Sequence, residues 1–312
     1  MPKSRKSRNS VNHHRARAAD APAYRGRFAP SPTGPLHHGS LIAALASYLD
    51  ARHNHGTWLV RMEDLDPPRE EPGAAGRILN SLEQHGLYWD EEVLYQSQRD
   101  TAYAAALAKL GSRSLLFACD CTRQILGPDG ACRGDCRDRQ GHLATPSAIR
   151  VDPPGNCRIH FRDRLQGSAS GSDIEVPDFV VRRKDGLFAY QLAVVVDDAW
   201  QGITHIVRGS DLLDSTPRQI FLQQALDYHT PLYSHIPVIT DRGGQKFSKQ
   251  NHAPALDDRD APANLRGALM FLRQDEPPAS LRDSEQILAF ASERWEPAKI
   301  PPVMSIAASG AT

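Results

Sequence analysis

The sequence predicts an α/β fold built on a doubly wound parallel sheet that carries an insertion. Strand and helix patterns alternate from Tyr24 to about residue 115. Such alternation is typical of a parallel sheet covered by helices on both faces. The alternation stops between Leu116 and Ile174, where a cysteine-bearing loop and short strand patterns occur, and helix and strand patterns return afterwards. One interrupted sheet accounts for all three observations.

The individual elements follow from hydrophobic periodicity and from turn residues. The first half predicts strands in RGRFAPSP and GTWLVRMED and helices in LIAALASYLDARHN, AAGRILNSLEQHG and RDTAYAAALAKLG. After the insertion, FVVRRKDGLFAYQLAVVVDDAWQGITHIVRG is rich in strand-forming residues around an Asp-Gly turn. The last third predicts a helix in TPRQIFLQQALDYH, a strand in HIPVIT, and helices after Pro262 and from Leu281 to Arg294.

Composition limits the class of protein. The chain has 312 residues, 40% of them hydrophobic, which is enough for one large domain with inserts. Lysine plus arginine and aspartate plus glutamate both total 37, so any attraction for RNA must come from local patches. No apolar run approaches the roughly 20 residues that span a bilayer, and the N-terminus lacks the apolar core of a secretory signal. We therefore expect a cytoplasmic monomer without a membrane partner.

The first strand-to-helix turn, PSPTGPLHHGS, has the composition of a phosphate-binding turn. Backbone N–H groups and the positive end of a helix dipole face a ligand at such a position, and glycine lets the backbone approach closely. His37 and Ser40 supply two side-chain donors, and Gly39 allows the backbone to approach a ligand closely. Taken alone, the turn is equally compatible with a solvated loop.

A second glycine-bearing segment, DRGGQKFSKQ, carries Lys246 and Lys249 on either side of Ser248. Two ammonium groups on a mobile loop can close over a triphosphate and neutralise the charge that develops in the transition state. An exposed polar loop is the alternative for this segment by itself.

In this order and about 200 residues apart, the two segments resemble the HIGH and KMSKS motifs of class I aminoacyl-tRNA synthetases. RFAPSPTGPLHHGS, LVRMEDLDPPRE, FAYQLAVVVDD and IVRGSDLLDSTPRQ resemble the glutamyl branch, so the resemblance runs from Arg27 to about Gln250. It implies a Rossmann-like catalytic domain that activates glutamate with ATP and Mg²⁺. The first motif ends in Ser40 instead of histidine, whereas the second keeps both lysines.

The resemblance also implies a set of site residues. The glutamate-binding residues would be Arg27, Ala29, Ser31, Glu63, Tyr190 and Arg208, with Glu63 holding the ammonium group. The catalytic residues would be His37, Ser40, Lys246 and Lys249, and the ATP-binding residues His37, Gly39, Ser40 and Lys249. Glutamate presents one ammonium and two carboxylates, which require a carboxylate and cations in the site. Taken singly, Glu63 and Arg61 could form a surface ion pair, Tyr190 could be a core aromatic residue and Arg208 could be solvated.

Four of the five cysteines lie within 18 residues, as Cys119, Cys121, Cys132 and Cys136. Stable disulfides are rare in the cytoplasm, and four thiolates can form a closed tetrahedral zinc site. Free or redox-active thiols are the alternative, and the resemblance favours one structural Zn²⁺. Cys157 stands apart and is expected to be a small buried hydrophobe.

About 60 residues follow the lysine segment, whereas glutamyl-tRNA synthetases continue there with a large anticodon-binding domain. The resemblance therefore points to the stand-alone catalytic paralogues of this branch, which activate glutamate without tRNA. Their acceptor is queuosine at the wobble position, in the anticodon loop of tRNA(Asp). Two alternatives stay open: a truncated glutamyl-tRNA synthetase that charges a tRNA 3′ end, and a non-catalytic RNA-binding paralogue.

The predicted domain division has five segments. Residues 1–23 form a basic disordered tail, 24–115 the first half of the catalytic domain, 116–175 the zinc-bearing insertion, 176–260 the second half with the lysine segment, and 261–312 a short helical C-terminal segment without an anticodon-binding domain. The tail has six basic residues against one acid, Asp20, and cannot bury a core. It is either a solubilising extension or a basic arm that contacts RNA phosphates.

Overall fold

The computed structural model describes residues 23–167, 173–241 and 254–307. The first part of the chain alternates strands and helices as predicted. Its elements are β1 (Arg25–Phe28), α1 (His38–His53), β2 (Thr57–Met62), α2 (Ala74–Gln84), β3 (Leu94–Tyr95) and α3 (Asp100–Ser112). The strands β1, β2 and β3 pair in parallel in that order.

A separate antiparallel region follows. Its strands are β4 (Leu116–Cys119), β5 (Ala148–Val151), β6 (Arg158–Ile159), β7 (Ile174–Glu175) and β8 (Phe179–Arg182). β5 lies between β4 and β8, and β6 pairs with β7. Antiparallel pairing begins at Leu116, where the insertion is predicted to begin, and continues to Arg182, beyond its predicted end at residue 175.

The remaining elements return to the parallel arrangement. They are α4 (Tyr190–Trp200), β9 (His205–Gly209), α5 (Thr216–Ala225), β10 (Leu232–Ile236), β11 (Val238–Thr240), α6 (Ala261–Phe271), α7 (Ser284–Glu293) and β12 (Ser305–Ala307). β9 pairs in parallel with β10, and the backbone N–H of Thr204 donates to the carbonyl of Arg25 at 3.0 Å, which places β9 beside β1. The central strands thus follow the order β3, β2, β1, β9, β10.

Alternation along β2 separates two cores on opposite faces of this sheet. Trp58, Val60 and Met62 pack in the core that contains α1, α2, α6 and α7, whereas Leu59 packs in the core that contains α3, α4 and α5. Successive strand residues point to opposite faces, so Arg61 lies on the same face as Leu59. This register directs a cation toward α4.

The prediction of strand-rich sequence is wrong for YQLAVVVDDAW, which forms helix α4. Val194, Val195 and Val196 are buried where α4 packs with α3 and α5. Burying each such side chain contributes about 1.5–3 kcal/mol. That gain exceeds the helix-propensity penalty of valine, at most about 0.7 kcal/mol.

Within the described ranges, no helix is both long enough and apolar enough to cross a membrane.

Candidate active site and cysteine cluster

A cavity of about 390 Å³ opens at the carboxyl ends of β1, β2, β9 and β10. Ligands of open α/β sheets bind at this edge because the loops that leave the strands diverge there. Nine predicted site residues line it: Arg27, Ala29, Ser31, His37, Gly39, Ser40, Glu63, Tyr190 and Arg208. The predicted Lys246 and Lys249 lie outside the described residues.

One buried carboxylate holds two of the arginines at this edge. Asp198, on α4, accepts from Nε of Arg27 at 3.1 Å and from Nη1 of Arg61 at 2.8 Å. All three side chains are at most 4% exposed. Burial by itself would raise the pKa of Asp198, but the two guanidinium groups outweigh it, and the pKa lies below its ordinary value. Asp198 is therefore ionised at neutral pH and fixes Arg27 in the cavity wall.

Glu63 and Tyr190 form the neighbouring part of the wall. Burial raises the pKa of Glu63, although Arg61, whose Nη2 lies 3.4 Å from Oε1 of Glu63, opposes the shift. Burial and the nearby Glu63 carboxylate raise the pKa of Tyr190, which therefore stays a phenol. A partly compensated carboxylate that lines a cavity is suited to receive an ammonium group.

Arg208 supplies the opposite charge and is itself buried. Its guanidinium donates to Nε2 of His235 at 2.9 Å, to Oε1 of Gln219 at 2.8 Å and to Oγ1 of Thr216 at 2.9 Å. These partners are uncharged, and within the described ranges Arg208 forms no ion pair with a carboxylate. A buried cation without a carboxylate partner is ready to bind an anionic ligand group.

The first motif begins helix α1 through a reciprocal cap. Nδ1 of His37 accepts from the backbone N–H of Ser40 at 3.2 Å, and Oγ of Ser40 accepts from the backbone N–H of His37 at 3.0 Å. Because Nδ1 accepts, Nε2 carries the hydrogen of the neutral ring and is its donor nitrogen. Ser40 thus has a capping contact, and its phosphate contact stays a prediction.

The glycine of this motif lies in a tightly packed position. A Cβ atom on Gly39 would lie 3.2 Å from the ring of His37 and 3.2 Å from Cγ2 of Ile239. Any larger residue at this position would require His37 or Ile239 to move by a few tenths of an ångström, so glycine favours the close approach of α1 to β11.

The four clustered cysteines converge, as the spacing predicts. Their Sγ atoms all lie within 4.8 Å of one another, and all four side chains are buried. Sγ of Cys121 lies 3.6 Å from that of Cys132 and 3.4 Å from that of Cys136, which in turn lies 3.7 Å from that of Cys119. A tetrahedron of Zn–S bonds of about 2.3 Å has edges of about 3.8 Å. The cluster can hold a metal ion.

Buried charges support the cysteine loop from the antiparallel sheet. Asp178 accepts from the backbone N–H of Cys132 at 3.0 Å and pairs with Arg150 at 2.5 Å and Arg137 at 2.8 Å. Nζ of Lys184 donates to the carbonyl of Cys121 at 3.0 Å. The loop is therefore anchored independently of its thiols.

Sequence reasoning missed three residues at the sheet edge, namely Asp163, Asp198 and His235. It also allowed Arg61 to be a surface residue, and the structure shows a fully buried side chain. The available signals were a pair of carboxylates after the apolar run LAVVV, the second of which is Asp198, and a histidine inside the strand LYSHI. Neither pattern identifies the residues that these side chains contact, because those residues lie on other helices and strands.

A family model described as tRNA synthetases class I (E and Q), catalytic domain, matches residues 23–270. The chain belongs to this family. A glutamyl-Q tRNA(Asp) synthetase from Pseudomonas fluorescens is 50% identical over 293 residues, which cover 93% of this chain and 97% of that protein. A protein of the same name from Thiobacillus denitrificans is 53% identical over 286 residues, which cover 88% and 94%.

The fold has a counterpart among solved structures. The crystal structure of a glutamate-tRNA synthetase from Elizabethkingia anophelis matches with a TM-score of 0.74 and 23% identity, covering 92% of this chain and 68% of that one. At this identity the likeness shows the fold alone.

Proposed function

We propose that the protein activates glutamate with ATP, without tRNA, and transfers it to queuosine at the wobble position of tRNA(Asp). The observation that carries the proposal is one cavity that holds a carboxylate, Glu63, and the cation Arg208, which has no carboxylate partner among the described residues, beside the helix start at His37. Relatives that are 50% and 53% identical over nearly their whole length carry the name glutamyl-Q tRNA(Asp) synthetase, which supports the same substrate pair.

In the proposed complex, Glu63 holds the ammonium group of glutamate and Arg208 binds its side-chain carboxylate. Arg27, kept in place by Asp198, adds a second cation. Ala29, Ser31 and Tyr190 complete the pocket. Because Arg208 donates in a fixed planar fork, it favours a carboxylate over the amide of glutamine.

In the first chemical step, the α-carboxylate of glutamate attacks the α-phosphorus of ATP and pyrophosphate leaves, forming glutamyl-AMP. His37 and the N–H groups at the start of α1 would bind phosphate oxygens. Mg²⁺ with ATP would neutralise the leaving group together with Lys246 and Lys249. In the second step, a hydroxyl of the queuosine cyclopentenediol attacks the acyl carbon and AMP leaves.

The metal of the proposed insertion, residues 116–175, would be one structural Zn²⁺ held by Cys119, Cys121, Cys132 and Cys136. The distances among the four sulfur atoms fit a closed structural site. Four thiolates this close repel one another, and a divalent cation offsets the repulsion.

The anticodon loop is the proposed RNA contact because single-stranded loops offer splayed bases that a protein can stack and hydrogen-bond. Phosphate contacts would add affinity that falls with salt. The cytoplasmic location, the monomeric state and the five-segment domain division stay predictions.

Two assays test the function. The first is exchange of labelled pyrophosphate into ATP without RNA, which should depend on glutamate. The second offers labelled glutamate to queuosine-containing tRNA(Asp) whose 3′ end has been removed, with an unmodified transcript as the control. We expect labelling of the modified RNA and none of the transcript.

The alternatives give different results. Labelling of the intact transcript at its 3′ end would assign the protein to 3′-end charging. Absence of pyrophosphate exchange in the folded protein would favour the assignment as a non-catalytic RNA-binding paralogue. Either result would overturn the proposed function.

A further inference from the structure

Arg208 is held from behind by two buried residues that do not line the cavity. Nε of Arg208 donates to Nε2 of His235 at 2.9 Å, and Nδ1 of His235 lies 2.6 Å from Oδ2 of Asp163. The side chains of His235 and Asp163 are both 0% exposed. We refer to these three residues as the Asp163–His235–Arg208 relay.

The relay defines one tautomer of His235. The Asp163 carboxylate only accepts, so Nδ1 carries a hydrogen, and the guanidinium only donates, so Nε2 offers its lone pair. Burial lowers the pKa of His235 and outweighs the opposing effect of Asp163, so the ring stays neutral. A neutral ring transmits orientation from Asp163 to Arg208 without adding a positive charge beside it.

The backbone in turn fixes Asp163. Its Oδ1 accepts from the backbone N–H groups of Leu165 at 2.9 Å, Gln166 at 2.8 Å and His235 at 3.2 Å. These contacts, together with hydrogen bonding to His235, hold the pKa of Asp163 below its ordinary value despite burial. The relay therefore begins at a rigid ionised carboxylate on the turn that follows β6.

We propose that Asp163 and His235 are positioning residues, which orient the guanidinium of Arg208 for the side-chain carboxylate of glutamate and thereby set selectivity for glutamate over glutamine. The inference rests on the proposed function. With Nε tied to His235, and Gln219 and Thr216 on the Nη atoms, the plane of the fork is set before the ligand arrives. Preorganisation of this kind raises affinity because less freedom is lost on binding.

The test uses glutamate binding by calorimetry and the kinetics of pyrophosphate exchange. His235→Phe keeps the ring volume but removes both nitrogens. It leaves the buried Nε of Arg208 unsatisfied, so we expect about a tenfold or greater rise in the dissociation constant and KM for glutamate. KM for ATP should stay within about twofold, and the preference for glutamate over glutamine should fall.

Asp163→Asn examines the tautomer separately. Its amide oxygen can still accept from Leu165 and Gln166, so its NH₂ group would face Nδ1 of His235 and require the opposite tautomer. Nε2–H would then oppose the Nε–H of Arg208, and glutamate KM should rise as in His235→Phe.

The double variant should bind glutamate no more weakly than either single variant, since the effects of residues in one relay are not additive. His235→Gln, whose amide oxygen can replace Nε2, should restore much of the affinity.

The protein contains a matched control pair. His160 and Asp173 lie 3.9 Å apart, but both side chains are 66% exposed. His160→Phe and Asp173→Asn should leave glutamate affinity and the preference over glutamine unchanged. The same substitutions thus separate the relay from general effects of losing a histidine or a carboxylate.

Nitrogen-15 NMR of His235 in the wild-type protein supplies a measurement that needs no variant. We expect the neutral Nδ1–H tautomer, and either an Nε2–H or a doubly protonated ring would overturn the relay. The relay would also be overturned if folded Asp163→Asn and His235→Phe both bound glutamate with the affinity of the wild type. Failure of the wild type itself to bind glutamate would instead refute the proposed function and with it the selectivity role.

Discussion

Nη1 of Arg61 donates to Oδ1 of Asp198 at 2.8 Å, although 137 residues separate the two in the sequence. Arg61 leaves β2 near its carboxyl end, toward the face on which α4 lies, and Asp198 is near the end of α4. The pair links two elements that lie on either side of the antiparallel strands β4 to β8 in the sequence. Since Asp198 also holds Arg27, the geometry of the proposed glutamate pocket depends on this contact.

Removing the charge of Asp198 should reduce stability in a pH-dependent manner. Asp198→Asn would leave two buried guanidinium groups without their carboxylate, which costs about 3–5 kcal/mol. The pKa of Asp198 in the folded protein lies below its ordinary value. Its contribution to the free energy of unfolding is therefore fully present above about pH 4, and it is lost as the pH falls through the lowered pKa. Urea unfolding at pH 7 and pH 3 should show the difference between wild type and variant shrinking in acid.

The control for this measurement is Asp275→Asn, since Asp275 forms an exposed ion pair with Lys299 at 2.7 Å. Its loss should cost less than about 1 kcal/mol. A deficit in Asp198→Asn that is the same at both pH values would contradict the ion-pair account.

Glu63→Gln should weaken glutamate binding by about tenfold or more at neutral pH, since a charged hydrogen bond is worth about 1.5–3 kcal/mol. Burial raises the pKa of Glu63. As the pH is lowered, the carboxylate in the free protein therefore gains its proton at a pH above the ordinary glutamate pKa of about 4.3. Wild-type affinity should therefore decline as pH falls through that range. The substrate titrates nearby, so the measured quantity is the ratio of wild-type to variant affinity, which should shrink in acid.

Glu91→Gln serves as the matched change, because Glu91 is exposed and pairs with Arg25 at 2.9 Å, away from the cavity. We expect Glu91→Gln to bind glutamate with the affinity of the wild type at every pH. A constant ratio for Glu63→Gln across the range would mean that Glu63 does not receive the ammonium group.

Arg208→Ala should raise the glutamate requirement by the equivalent of about 1.5–3 kcal/mol, with ATP binding nearly unchanged. Arg208→Lys should recover only part of it, because an ammonium group lacks the planar fork. Calorimetry measures both, and Arg294→Ala, at an exposed arginine, is the control. Unaltered glutamate affinity in Arg208→Ala would place the pocket elsewhere.

The cysteine cluster should bind about one zinc ion per chain in protein purified without added metal. Cys121→Ser and Cys136→Ser should each lose zinc and destabilise the loop, as elemental analysis and thermal unfolding can show. Cys157→Ser should retain the metal, since Cys157 is the one cysteine outside the cluster. Full zinc in both cluster variants would exclude these thiols as ligands.

Lys249→Ala should slow glutamate-dependent pyrophosphate exchange by about 10²–10³, the effect of removing one preorganised electrostatic donor. This prediction rests on the sequence, as Lys249 lies outside the described residues. Lys299→Ala, on the C-terminal part of the chain, should exchange at the wild-type rate. An unchanged rate in folded Lys249→Ala would remove this lysine from the mechanism.

The local pattern was sufficient for most elements. The short apolar segment TWLVRM and helical spacing in LIAALASYLDARH correctly predicted β2 and α1, and the spacing of the four cysteines predicted their convergence. These features depend on neighbours in the chain, which a sequence displays directly. The motif residues of the proposed pocket were identified by resemblance, and the structure places nine of them around one cavity.

Tertiary structure decided the rest, because the energies involved arise between distant segments. YQLAVVVDDAW is rich in strand-forming residues, yet it is a helix because burial against α3 and α5 outweighs local propensity. The sequence left Arg61 as a candidate surface residue, and only the approach of α4 makes it a buried partner of Asp198. Asp163 and His235 carried no sequence signal of their relation to Arg208, since their contact exists only once β9, β10 and the turn after β6 have packed together.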